Sequence, residues 1–205
     1  MGPCPDLPRH YVISPPAQHD TRDTVGWSDQ WLGFLQAMEQ VCKQDDRMVL
    51  LRHVPGMAQG DDRLLVACLA VAKRHQVMCF LHDDAHKAHA LGFAGVHWSA
   101  ARLRCRQRVA GLLQLASCHS SQELELAAAQ EVDGVVLSPV RPTTSHPGRP
   151  PLGWDGFTHL AAQATVPAYA LGGVGPHDLN AAQRCGGHGV AGISAFWPTF
   201  QAAKE

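Results

Sequence analysis

The chain has 205 residues, with 17 Lys+Arg against 18 Asp+Glu and a formal net charge of -1. That length suits one domain with a proper hydrophobic core. The charge balance excludes both a basic field for nucleic acid and an acidic tail. No apolar run is long enough to span a bilayer, and the N-terminus lacks the basic-then-apolar order of a signal peptide. The 7 Cys are scattered with no Cys-x-x-Cys pair, which fits neither a disulfide framework nor a zinc ribbon. A cytoplasmic protein, 1–205 as a single domain with 1–9 as an N-terminal extension, is therefore expected. The outlier in composition is His, at 13.

Short apolar, β-rich runs alternate with helical patterns along the chain. His10 to Ser14 is the first strand, followed by a loop from Pro15 to Thr24. Met48 to Arg52 is the second. Between Asp62 and His75, Leu65, Cys68, Leu69 and Ala72 fall on one helical face. Val77 to Leu81 and Gly95 to Trp98 are the third and fourth strands. Ser99 to Val109 reads as a short helix or a loop, because four arginines leave few apolar positions. Leu112 to Ser117 is the fifth strand. Ser120 then caps a helix, with Glu123 as its capping-box partner. Gly134 to Ser138 is the sixth strand, and a proline-stiffened loop runs from Arg141 to Pro151. Ala168 to Gly172 is the seventh, Pro176 and Asp178 open a helix, and Gly189 to Ser194 is the eighth.

Most of these runs are continuous rather than alternating, as in parallel strands covered on both faces. Eight strands with intervening helices predict an α/β fold, a (β/α)8 TIM barrel that is short and nearly undecorated. An open doubly wound sheet would want a Gly-x-Gly-x-x-Gly turn after an early strand, and none is present.

In such a barrel the C-terminal ends of the strands face the active site. Gly172-Gly173 there can form an anion nest, and with Ile193-Ser194 after the eighth strand they make the phosphate site usual in this fold; the alternative is a plain tight turn and a helix cap. Asp83 is either a Mg²⁺ ligand or the N-cap of the next helix. Arg52 is either a phosphate clamp or half of a rim salt bridge. His82, His86 and His89, with Asp83 and Asp84, have the composition of a metal cluster. His82 belongs to the strand end, however, which favours a solvated, partly capping cluster. His97 and His119 are placed as general acid/base groups or as structural hydrogen bonders. The other histidines fall in loops or on helix surfaces.

These residues resemble the thiamine phosphate synthase and thiazole tautomerase superfamily from Tyr11 to Trp197. The likeness rests on Tyr11-Val12-Ile13-Ser14, Leu51-Arg52, Gly95-Val96-His97, Ser117-Cys118-His119, Ser138-Pro139-Val140-Arg141-Pro142-Thr143, Ala170-Leu171-Gly172-Gly173-Val174 and Gly189-Val190-Ala191-Gly192-Ile193-Ser194. The chain is most similar to degenerate members fused behind a Nudix hydrolase in some bacteria, so the resemblance implies a stand-alone version or an excised domain with a Nudix partner.

The resemblance implies coupling of hydroxymethylpyrimidine diphosphate to thiazole phosphate with release of pyrophosphate, aided by Mg²⁺. Gly172, Gly173, Ile193 and Ser194 match the thiazole-phosphate cradle. Arg52, Ser117 and Thr143 match positions near the diphosphate and pyrimidine, and Asp83 matches one of two metal-binding aspartates. The chain departs from the family where Val54 replaces a basic residue, His82 an Asn, Arg102 the second aspartate, and Thr144 to Pro147 a lysine. The tautomerase histidine falls at Pro139, so His119 or His146 would have to substitute. Expected catalytic residues are Arg52, Ser117 and His119. A tautomerase and a non-catalytic binding domain are the alternatives. Nucleic acid and membrane are not expected partners, and a homo-oligomer is open.

Overall fold

The continuous apolar runs become eight parallel strands that close into a barrel in strict chain order, β1 to β8. They are β1 His10–Ile13, β2 Arg47–Leu51, β3 Met78–His82, β4 Gly95–Trp98, β5 Leu113–Cys118, β6 Gly134–Leu137, β7 Ala168–Leu171 and β8 Gly189–Gly192. The helices are α1 Trp27–Cys42, α2 Arg63–Arg74, α3 Ala85–Leu91, α4 Ala100–Leu103, α5 Ser121–Ala129, α6 Gly153–Ala161 and α7 Leu179–Arg184, the last entered through a 3-10 turn at Pro176–Asp178. The computed structural model describes residues 6–15, 27–52, 62–105, 109–143 and 150–197, with 27–31 described by backbone alone. Val54, Thr144 to His146 and the loop after Pro15 lie outside these residues.

The register explains why the strands do not alternate. In β1, Tyr11 and Ile13 face the barrel interior with Met48, Leu50, Phe80 and Tyr169, while Val12 faces outward under the helices with Val49 and Leu81. Both faces are dry, so both must be apolar. Burying one such side chain is worth about 1.5–3 kcal/mol. The interior is a packed core, and function is confined to its rim.

The helices follow their sequence signals. Leu65, Cys68, Leu69 and Ala72 are all buried on α2, as their spacing predicts. Its last-turn Arg74, with His75 beyond it, reaches Glu39 of α1 at 2.6 and 2.8 Å, which ties the two helices together. Ser120 caps α5, its hydroxyl accepting from the Glu123 N–H at 3.3 Å, a contact typically worth about 1 kcal/mol. The Glu123 carboxylate accepts from the N–H of His119 rather than that of Ser120, one residue earlier than a capping box places it. Among the described residues, the weak stretch after Ser99 yields the four-residue α4.

The floor of the barrel is closed by the chain just before β1. Leu7 is buried, the Tyr169 hydroxyl donates to the Pro8 carbonyl at 2.6 Å, and His188 Nε2 donates to the Leu7 carbonyl at 2.7 Å. The strand N-termini are thereby sealed, which leaves the opposite rim as the open end.

Candidate functional site

On one side of that rim, β6, β7 and β8 bring three loops together. Leu171 pairs with Ala191, so the β7 and β8 loops leave the sheet side by side. The β6 loop folds onto them, with Val140 and Arg141 N–H groups donating to the Leu171 and Gly172 carbonyls at 2.8 and 2.9 Å. Gly172 and Gly173 have φ of +98° and +65°, a region that side chains with a Cβ rarely adopt. A Cβ on Gly172 would stand 2.8 Å from Pro139, and one on Gly173 2.7 Å from Arg141. Glycine is needed here first to let the β6 loop lie against β7. Ile193 starts a helical turn, its carbonyl accepting from the Phe196 and Trp197 N–H groups.

The N–H groups of Gly173, Val174, Ser194 and Ala195 have no acceptor among the described residues. Gly173 and Ser194 are exposed at the rim. Successive unbonded N–H groups at the end of β7, beside a helical turn beginning at the end of β8, form a concavity suited to an anion.

A brace that sequence reasoning missed holds this region. Arg141 forms a bidentate pair with Asp178 at 2.9 and 3.2 Å, donates to the Gly173 carbonyl at 3.3 Å and lies over the Trp154 ring. Asp178 also accepts from the Gly175 N–H at 2.9 Å. Burial alone would raise the Asp178 carboxyl, but the Gly175 bond and the Arg141 guanidinium outweigh it and hold it below the usual range. Asp178 thus ties the β7 loop to the β6 loop, a larger role than opening a helix. Thr143 follows directly on Arg141-Pro142 in this assembly and is partly exposed.

The other side of the rim is built from side chains. Arg52 directly follows β2, and Ser14 fixes its backbone: the Ser14 hydroxyl donates to the Arg52 carbonyl at 2.8 Å and accepts from its N–H at 2.7 Å. The half-buried guanidinium leaves Nε buried with no hydrogen-bond partner, and desolvation lowers its pKa. A buried cationic donor without a partner is costly unless a ligand satisfies it. Ser117 ends β5, partly exposed, with its hydroxyl 2.8 Å from His97 Nε2. His97 is 2 % exposed, its Nδ1 is 3.2 Å from the Tyr11 hydroxyl, and its ring stacks with that of His82 at 6.2 Å. Burial, then the nearby His82 and Arg52, push the His97 imidazolium down to about 3. Of its two readings, the structural hydrogen bonder fits: a group neutral throughout the physiological range is a poor acid or base.

His119 sits at the seam between the two sides. Its Nδ1 lies 2.7 Å from the Ser138 carbonyl. A carbonyl only accepts, so Nδ1 carries the proton in that bond. This ring from β5 therefore stands at the end of β6, next to Pro139.

Asp83 follows β3 with φ +53°. Its two carboxylate oxygens accept from the N–H and hydroxyl of Ser99 at 2.6 and 2.7 Å, bracing the start of α4. The cap of α3 is Asp84, which accepts from the Lys87 N–H at 2.9 Å, so the capping alternative belongs one residue later than Asp83. His86 and His89 are exposed on α3, whereas His82, at the end of β3, is partly buried. Among the described residues no three His, Cys, Asp or Glu gather as a metal site. A single carboxylate already holding Ser99, with Arg102 on α4 nearby, does not fit a two-carboxylate Mg²⁺ site. No helix among the described residues is long and apolar enough to cross a membrane.

Comparison with known proteins agrees with this fold. A family model described as thiamine monophosphate synthase matches residues 25–196. The thiamine-phosphate synthase of Thermus thermophilus is 31% identical over 176 residues, covering 83% of this chain and 84% of its own. Thiamine phosphate pyrophosphorylase from Pyrococcus furiosus shares the fold with a TM-score of 0.66 at 17% identity, over 91% of this chain and 86% of that one. Thiamine phosphate pyrophosphorylase from Bacteroides thetaiotaomicron gives a TM-score of 0.60 at 18% identity, over 96% and 88%.

Proposed function

This chain belongs to the thiamine monophosphate synthase family, and on that premise we propose that it binds thiazole phosphate at the β7–β8 loops and couples it to hydroxymethylpyrimidine diphosphate. The observation that carries this reading is the group of unbonded N–H donors at Gly173, Val174, Ser194 and Ala195. Gly172 and Ile193 shape that cradle by placing the two turns. The phosphate is held there by backbone dipoles, which orient the thiazole ring toward the centre of the mouth.

The reaction breaks the C–O bond between the pyrimidine methylene and the diphosphate and forms a C–N bond to the thiazole nitrogen. Pyrophosphate leaves with the electron pair of the broken bond. Negative charge grows on the departing oxygens, so fixed donors aimed there lower the barrier. In this chain those donors are the Arg52 guanidinium, with its unpartnered Nε, and the Ser117 hydroxyl. Thr143 lies on the β6 loop, partly exposed. The family uses Mg²⁺, but Asp83 is the one family carboxylate retained, and it already holds Ser99; no step is routed through a metal. The test is direct: incubate the protein with both substrates and Mg²⁺ and assay for thiamine phosphate. Product that disappears in Arg52→Ala supports the reading, and no product at high protein concentration sinks it.

The bond from His119 to the Ser138 carbonyl supports a second reading. It brings an imidazole ring to the end of β6, where the resemblance places a thiazole tautomerase's acid/base histidine. Isomerisation of a thiazole phosphate without the diphosphate substrate, lost in His119→Ala, would favour it. Binding of thiazole phosphate with neither turnover would leave a binding domain.

A further inference from the structure

We propose that Tyr11 and His97 are positioning residues that hold the Ser117 hydroxyl as a hydrogen-bond donor to an oxygen of the bound diphosphate; this rests on the diphosphate site proposed above. The argument is a count of hydrogens. The chain of contacts runs from the Tyr11 hydroxyl to His97 Nδ1 at 3.2 Å, and from His97 Nε2 to the Ser117 hydroxyl at 2.8 Å. A neutral imidazole has one donor and one acceptor nitrogen. Two arrangements are therefore available.

In the first, Nδ1 carries the proton and donates to the Tyr11 oxygen, and Ser117 donates to Nε2. The Tyr11 hydrogen then has no acceptor, since His97 is the one partner of that hydroxyl among the described residues. Tyr11 is 0 % exposed, so bulk water does not reach it. In the second, Tyr11 donates to Nδ1, Nε2–H donates to Ser117, and the leftover hydrogen is that of Ser117. Ser117 is partly exposed at the mouth, where solvent or a ligand can accept from it. An unsatisfied buried donor costs more than an exposed one, so the second arrangement holds.

Two consequences follow for chemistry. Ser117 presents its O–H outward to an acceptor, as the oxygens of a diphosphate are. It also has no base: Nε2 already bears a proton, so the Ser117–His97 pair cannot act as a nucleophile and its activator, despite having the spacing of one. Tyr11 exerts this control from the barrel core without touching a ligand.

The test combines ring-nitrogen NMR with binding. In protein carrying ¹⁵N-labelled histidine, His97 should show a protonated Nε2 and an unprotonated Nδ1. Affinity for inorganic pyrophosphate should fall about five- to tenfold in Tyr11→Phe and in Ser117→Ala. Tyr11→Phe should cause no further loss in the Ser117→Ala background. A protonated Nδ1 in the wild-type protein would overturn the proposal. So would a Tyr11→Phe penalty of equal size with or without the Ser117 hydroxyl, because that pattern marks a merely structural role. If the wild-type protein binds no pyrophosphate, the functional reading fails, and the two ring nitrogens still decide the direction of the hydrogen bonds.

Discussion

Around the barrel mouth, β6 to β8 present backbone, whereas β2 to β5 present side chains. The cradle side depends on Gly172, Gly173 and the N–H groups beyond them, locked by the Arg141–Asp178 pair. The opposite side depends on Arg52, His82, Asp83, His97 and Ser117. Of the departures that the resemblance marks within the described residues, His82 and Arg102 fall on the side-chain half and Pro139 on the backbone half. A site made of backbone survives substitution as long as its conformation is kept, and a site made of side chains does not. The backbone half is therefore expected to tolerate sequence change better than the side-chain half.

The comparison is broken most severely by changing the backbone half. Gly172→Val forces a β-branched residue into φ +98° and against Pro139. It should destabilise the fold by about 2–4 kcal/mol and abolish thiazole-phosphate binding, read by denaturant titration and calorimetry; unchanged affinity would show that the cradle is elsewhere. Asp178→Asn removes the counter-charge of Arg141. A loss of about 1–3 kcal/mol is expected, with weaker thiazole-phosphate binding but unchanged pyrophosphate binding at Arg52. Equal losses for both ligands would mean that the two halves are not separable.

On the side-chain half, pH is the sharper probe. The His97 pKa is lowered to about 3 in the folded protein, against about 6.5 in an unfolded chain. The unfolded state therefore binds the extra proton between those values, and stability falls as pH drops below about 6.5. The slope should be about 1.4 kcal/mol per pH unit, and His97→Gln should flatten it; an equally steep slope in that variant would assign the titration to another group. The smallest effect is expected from Arg102→Asp, which supplies the second carboxylate. Mg²⁺ should then strengthen pyrophosphate binding by about threefold, and no change would mean that this position does not face the diphosphate.

The fold was legible because strands covered on both faces read as continuous apolar runs, and because Ser120 and the apolar face of α2 carry local signals. The tight turn at Gly172-Gly173 was legible for the same reason: a glycine pair at a strand end is a local feature. The rest depended on depth and distance. Whether His97 is chemical or structural is set by how far it lies inside the barrel, which the strand residues alone do not encode. Arg141 and Asp178 meet across 37 positions of sequence, and neither carries a local mark of the other. Asp83 and Asp84 differ by one residue at a strand–helix junction, where a single positive φ at Asp83 decides which of them caps α3.

The central claim is that the backbone half is the phosphate site. Titration of ¹⁵N-labelled protein with thiazole phosphate, followed by amide resonances, addresses it directly. The amides of Gly173, Val174, Ser194 and Ala195 should move together and saturate with one affinity. If they stay in place while amides elsewhere in the barrel respond, the cradle assignment is wrong.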